Sequence, residues 1–122
     1  MDFKANKPIY QQIVDFCFGK ILTEEWKGEE RIPSVRELAV LLTVNPHTVL
    51  KAFEYLQNED IIYPKRGMGF FLDKEAGQQV LKLKKNEFFE MDLTEIFQTM
   101  DLLGVSMEEV VEKYQKRKRD TV

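Results

Sequence analysis

Apolar positions in the stretch 45–56, NPHTVLKAFEYL, fall at Val49, Ala52, Phe53 and Leu56, the i, i+3, i+4, i+7 spacing of a helix with one buried face. His47, Thr48, Leu50, Lys51, Glu54 and Tyr55 point elsewhere. Asn45 stands where an N-cap is needed, and Pro46 occupies the first helical position, where a missing N–H costs nothing. Upstream, Ser34 and Glu37 form a capping box for a short helix burying Val35, Leu38, Ala39 and Leu42. Thr43-Val44 turns it into the Asn45 cap, which is the spacing of a helix-turn-helix. Before this pair, Lys7-Pro8-Ile9 opens a helix with Ile9, Ile13, Phe16, Cys17 and Ile21 toward the core. Trp26 closes that segment, Lys27-Gly28-Glu29 turns it, and Arg31-Ile32-Pro33 is a short extended piece.

After Leu56 the pattern changes period. Asn58-Glu59-Asp60 ends the helix with residues that tolerate a left-handed turn. Ile61-Ile62-Tyr63 and Phe70-Phe71-Leu72 are β-like runs around the basic loop Pro64–Gly69, so they predict a hairpin. A helix-turn-helix followed at once by such a hairpin is a winged helix. From Asp73 onward helical pattern returns, with Phe89, Leu93, Ile96, Met100 and Leu103 stepping as a heptad-like seam. Gly104-Val105 breaks it, and a second capping box at Ser106 and Glu109 opens a last helix with Met107, Val110, Val111 and Tyr114 on one face. The expected fold is therefore mainly α with a small β-hairpin: a winged helix-turn-helix over 1–72 and a short C-terminal helical hairpin over 73–122. Two such helices cannot bury their own seam, so the 73–122 tail must pack on the winged helix, on a twin copy or on both; a twin is the preferred cover, with dimerisation through Phe89, Leu93, Ile96, Met100 and Leu103.

A chain of 122 residues supports one ordinary core, or a compact domain with an appended element. Hydrophobic content of 43% and charged content of 32% are globular values, and no apolar run approaches the roughly 20 residues that span a bilayer. The start, MDFKANKP, has no apolar signal core behind it, so a cytoplasmic protein without membrane attachment is expected. A net charge of −3 argues against nucleic acid until it is divided along the chain. Residues 1–30 carry 4 basic and 6 acidic groups, 31–72 carry 5 and 4, 73–112 carry 4 and 10, and 113–122 carry 5 and 1. The acid is concentrated after residue 72, and the segment holding the helix-turn-helix is mildly positive. The basic run Lys113 to Arg119 reads as a solvated helix end favoured by the helix dipole rather than a DNA arm.

Chemistry narrows the function further. The single Cys17 cannot form an internal disulfide, and with His47 the lone histidine no soft-ligand metal site can be assembled. Cys17 reads as a small core hydrophobe. No nucleophile stands with a base and no acids converge, so catalytic residues, metal and cofactors are all expected to be absent. Asn45, His47, Thr48 and Lys51 instead gather donors for phosphates and base edges at a helix N-terminus, and Lys65 and Arg66 put charge on the wing. The expected partner is double-stranded DNA. A winged helix serving as a protein-interaction or RNA-binding module is the alternative, and a salt-dependent shift with duplex DNA separates the two.

Four motifs together resemble the GntR family of bacterial transcription regulators: Pro8-Ile9-Tyr10-Gln11-Gln12-Ile13, Ile32-Pro33-Ser34-Val35-Arg36-Glu37-Leu38-Ala39, Val44-Asn45-Pro46-His47-Thr48-Val49, and Arg66-Gly67-Met68-Gly69-Phe70-Phe71. They cover about residues 8–72. The Asn-Pro-x-Thr-Val form and the short tail resemble its YtrA-like subfamily. This resemblance implies a homodimeric repressor on a palindromic operator, often beside genes for membrane transport systems. It also implies that Arg36 is the main base reader, with Ser34 and Pro46 in the same motifs, and that Gly67, Met68 and Gly69 let the wing approach the minor groove. Leu50 stands where other branches carry a DNA-contacting Arg, which shifts load to Lys51; Asp60 replaces a usual Gly and Phe70 a usual Thr. The sequence does not reveal whether a small-molecule effector exists; a tail of about 50 residues leaves little room for a pocket of ordinary size.

Overall fold

The computed structural model describes residues 6–120, and divides into two compact units, 1–83 and 84–122. Most of the N-terminal stretch read for a signal lies outside the described residues.

In the first unit, α1 (Ile9–Leu22), α2 (Val35–Leu42) and α3 (Pro46–Asn58) enclose one apolar core. The α3 stripe is buried throughout: Val49, Ala52, Phe53 and Leu56 have no exposed surface. The α2 set follows expectation at Leu38, Ala39 and Leu42, with Val35 packed at the edge. In α1 the buried face is Ile13, Val14, Cys17, Phe18 and Ile21, with Gln12 beside them. Ile9, assigned to the core from spacing, stands 44% exposed in the first turn. Val14 and Phe18 enter because the face is the broad stripe of a core helix, wider than a single i, i+4 row.

Three helix ends take left-handed backbone without glycine, at Glu24 (φ 62°) after α1, at Thr43 (φ 55°) after α2 and at Asp60 (φ 58°) after α3. The hairpin pairs β1 (Ile62–Lys65) with β2 (Gly69–Leu72), antiparallel, with Tyr63 opposite Phe71 and Lys65 opposite Gly69. Pro64, Lys65 and Gly69, read as loop, therefore lie in the strands. The extended piece before α2 has a structural use that its sequence did not reveal. Ile32 N–H donates to the Phe70 carbonyl at 3.0 Å and Leu72 N–H to that of Glu30 at 3.0 Å, so the extended segment 29–32 is bridged to β2.

The first unit continues past the wing. Asp73 Oδ2 accepts from Glu75 N–H at 2.9 Å, starting α4 (Ala76–Glu87), and α4 sends Ala76 and Val80 into the same core. The compact division thus falls after Leu83 rather than after Leu72.

In the second unit, a π-helical turn (Phe88–Asp92) leads into α5 (Leu93–Leu103), and Gly104 closes α5 in left-handed conformation, φ 69°. Ser106 and Glu109 form the expected cap of α6 (Met107–Asp120), with Glu109 N–H donating to Ser106 Oγ at 3.2 Å. Neither α5, α6 nor the π turn contains a buried residue. Leu93 and Met100 are half-buried, while Phe89 is 61% and Leu103 68% exposed.

Candidate nucleic-acid interface

The candidate recognition element begins at the Asn45 cap. Asn45 Oδ1 accepts from His47 N–H at 2.8 Å, and Pro46 opens α3. Asn45, Pro46 and His47 are exposed and Thr48 is half-buried, so the first turn stands outside a helix whose opposite face is wholly buried. The N–H groups of that turn are already taken, His47 by the Asn45 side chain and Thr48 and Val49 by the Asn45 carbonyl, so what the turn offers an anion is the positive end of the helix dipole. Lys51 lies one turn further on. Its Nζ sits 4.2 Å above the Tyr10 ring, so a residue of α1 joins the site that sequence reasoning placed only within a motif.

Ser34 caps α2 as expected: its Oγ accepts from Glu37 N–H at 3.0 Å, and Glu37 Oε1 accepts from Ser34 N–H at 3.1 Å. The Ser34 backbone N–H, then its hydroxyl, hold the Glu37 carboxyl below the ordinary carboxylate value, and the Arg31 charge adds to them. Arg36 is exposed in the first turn of α2. The carboxylate beside it in sequence is engaged elsewhere: Glu37 Oε1 receives Arg31 Nη2 at 3.1 Å. Arg36 has no ion pair among the described residues, and none of the hydrogen bonds links it to the α3 set.

On the wing, Lys65, Arg66, Gly67 and Met68 are exposed and Gly69 half-buried. Met68 N–H donates to the Lys65 carbonyl at 2.9 Å, closing a tight turn in which Gly67 (φ 76°) and Gly69 (φ 101°) take conformations that side chains resist. Lys65 Nζ lies 4.2 Å from the centre of the Phe71 ring, so its charge rests over an aromatic face of the wing. Arg31 was read only as extended backbone, because nothing local marks a contact 37 residues away: its Nε donates to the Met68 carbonyl at 3.2 Å.

Cys17 has no exposed surface, and burial pushes its thiol up to about 12, which matches the reading of an inert core residue. No group of three or more His, Cys, Asp or Glu among the described residues could hold a metal ion, and no helix among them is long and apolar enough to cross a membrane.

Comparison with known proteins bears on the same residues. The family described as bacterial regulatory proteins, gntR family, matches residues 9–72. The HTH-type transcriptional repressor YtrA of Bacillus subtilis is 32% identical over 112 residues, 92% of this chain and 85% of that protein. A GntR-family transcriptional regulator from Bacteroides thetaiotaomicron superposes with a TM-score of 0.81 at 36% identity, over 94% of this chain and all of that one. The AraR DNA-binding domain in complex with operator ORR3 superposes with a TM-score of 0.53 at 25% identity, over 59% of this chain and 87% of that one.

Proposed function

The chain belongs to the GntR family of bacterial regulatory proteins, DNA-binding transcriptional regulators rather than enzymes, and from that premise we propose that it is a repressor binding a palindromic operator as a homodimer. The observation that carries this reading is the first turn of α3, exposed at Asn45, Pro46 and His47 while Val49, Ala52, Phe53 and Leu56 are fully buried behind it. Burial fixes the helix, and its free end enters the major groove. In this reading Arg36, His47, Thr48 and the Asn45 amide read base edges; Ser34, Pro46 and Lys51 lie along the backbone; Lys65 and Arg66 meet phosphates beside the minor groove, where Gly67, Met68 and Gly69 keep the wing slim.

The unit 1–83 is the DNA-binding part and 84–122 the dimerisation part. Support for the second role is the absence of buried residues in α5, α6 and the turn before them, although Phe89, Leu93, Ile96, Met100 and Leu103 form a seam. A twin copy covers that seam, and a two-fold axis sets two recognition helices on half-sites about 34 Å apart. The repressor acts in the cytoplasm, with the chromosome.

Selection from random duplexes, followed by anisotropy at several salt concentrations, tests the reading. An enriched palindrome bound tighter than either half-site, with affinity falling steeply with salt, is the expected result. Equal affinity for unrelated duplexes, or preference for single-stranded RNA, would overturn it.

A further inference from the structure

We infer that Arg31 is a positioning residue for DNA binding: it ties the wing turn to the cap of α2, so that Lys65 and Arg66 arrive at the backbone in register with the recognition helix. Its Nε donates to the Met68 carbonyl at 3.2 Å, and its Nη2 to Glu37 Oε1 at 3.1 Å. That carboxylate oxygen also accepts from Ser34 N–H, so one guanidinium joins the tip of the wing to the first turn of the helix-turn-helix. Both ends are fixed by backbone. The extended segment 29–32 is bonded to β2 at the base of the wing, and Ser34 and Glu37 lock each other in the capping box.

Two features show the wing is shaped around this side chain. A Cβ at Gly69 would lie 3.2 Å from Arg31 Nε, and Gly69 has φ 101°, so the strand passes the guanidinium where a side chain would crowd it. The two bonds also leave from two nitrogens of one rigid fork toward two different acceptors, which a lysine ammonium on a flexible stem does not reproduce.

The effect belongs to binding rather than to the fold. The Arg31–Glu37 pair is about half exposed on both sides, where ion pairs add little to stability. A loosened wing occupies its binding pose only part of the time, and apparent affinity falls by that fraction. This inference rests on the reading of the wing as a DNA-contacting arm.

Arg31→Lys and Arg31→Gln are made in the full chain, each alone and with Lys65→Gln and Arg66→Gln. Affinity is read on the duplex selected by the unmodified chain at fixed salt, and exchange of the Met68 amide is followed without DNA. Arg31→Lys should weaken binding roughly 3–10-fold and speed Met68 exchange several-fold at an unchanged melting temperature, and both Arg31 variants should lose their effect on binding once the wing is neutralised. A phosphate contact made by residue 31 itself would survive in Arg31→Lys and add to wing neutralisation, and that pattern would overturn the inference. Unchanged Met68 exchange in both variants would overturn it as well. If neutralising the wing costs nothing, the wing reading falls together with the inference; if the wing matters and the Arg31 losses remain additive, the inference alone falls.

Discussion

Replacing Lys65, at the end of β1, and Arg66, in the turn after it, by Gln removes two exposed charges that contribute nothing to the buried core, so binding should change without unfolding. The shorter glutamine stem at position 65 still covers part of the Phe71 ring on which Lys65 rests. Each phosphate neutralised by a protein cation adds about 0.9 to the slope of log affinity against log salt, so one wing accounts for about 1.8. Between 50 and 200 mM salt, a fourfold change, that slope corresponds to about tenfold in affinity, or about 1.4 kcal/mol. The loss on a single half-site is therefore about ten times larger at the lower salt than at the higher. On a full palindrome two wings engage and the slope should fall by about 3.6, so the ratio of the two changes reports whether both arms are seated. Fluorescence anisotropy of labelled half-site and full-site duplexes at four or more salt concentrations measures both. An unchanged slope would refute phosphate contact by the wing, and a loss confined to one sequence would mean that it reads bases instead.

Arg36→Ala should cost roughly 1–3 kcal/mol of operator binding at fixed salt and relax specificity at one base pair, with the melting temperature unchanged because the side chain is exposed and has no ion pair among the described residues; equal affinity for the operator would exclude it as reader. Leu93→Asp with Ile96→Asp should sediment as a monomer at micromolar concentration and bind the palindrome little better than a half-site; an unmodified chain that is itself monomeric there would show that the seam has another cover. Cys17 should resist a thiol-reactive disulfide at pH 8 until the chain unfolds, since its thiol stays protonated and wholly buried. Because its value is raised in the folded state, its contribution to stability is complete below the ordinary thiol value near 9 and is lost as pH rises toward about 12, which alkaline melting curves would show. Asn45→Ala should lower stability by about 1 kcal/mol through the lost cap, read by urea unfolding.

Helix faces and caps were legible because they depend on residues three or four positions apart, or fewer: Ser34 with Glu37, Asn45 with His47, Ser106 with Glu109. The α3 stripe was readable for the same reason. What the pattern hid is long-range. The segment 29–32 carries no alternation of its own and is held extended by hydrogen bonds to β2 and by the burial of Ile32 in the core. Arg31 reaches Met68, and Lys51 finds Tyr10, through tertiary placement that no local spacing encodes. The limit of the first unit was obscured likewise, since Ala76 and Val80 look like any two apolar positions on a polar helix until they meet the core.

The outer strand of the wing has a consequence for how this protein behaves when crowded. β1 has no further strand beside it among the described residues, and an open strand edge is a template on which another chain can pair. Pro64, midway along β1, has no N–H to offer an incoming strand, and the charged Lys65 next to it repels a close, flat approach. Copies brought close together are therefore hindered from stitching edge to edge along this strand. Replacing Pro64 with a β-former such as Val would restore the missing donor and open that edge to pairing with another chain.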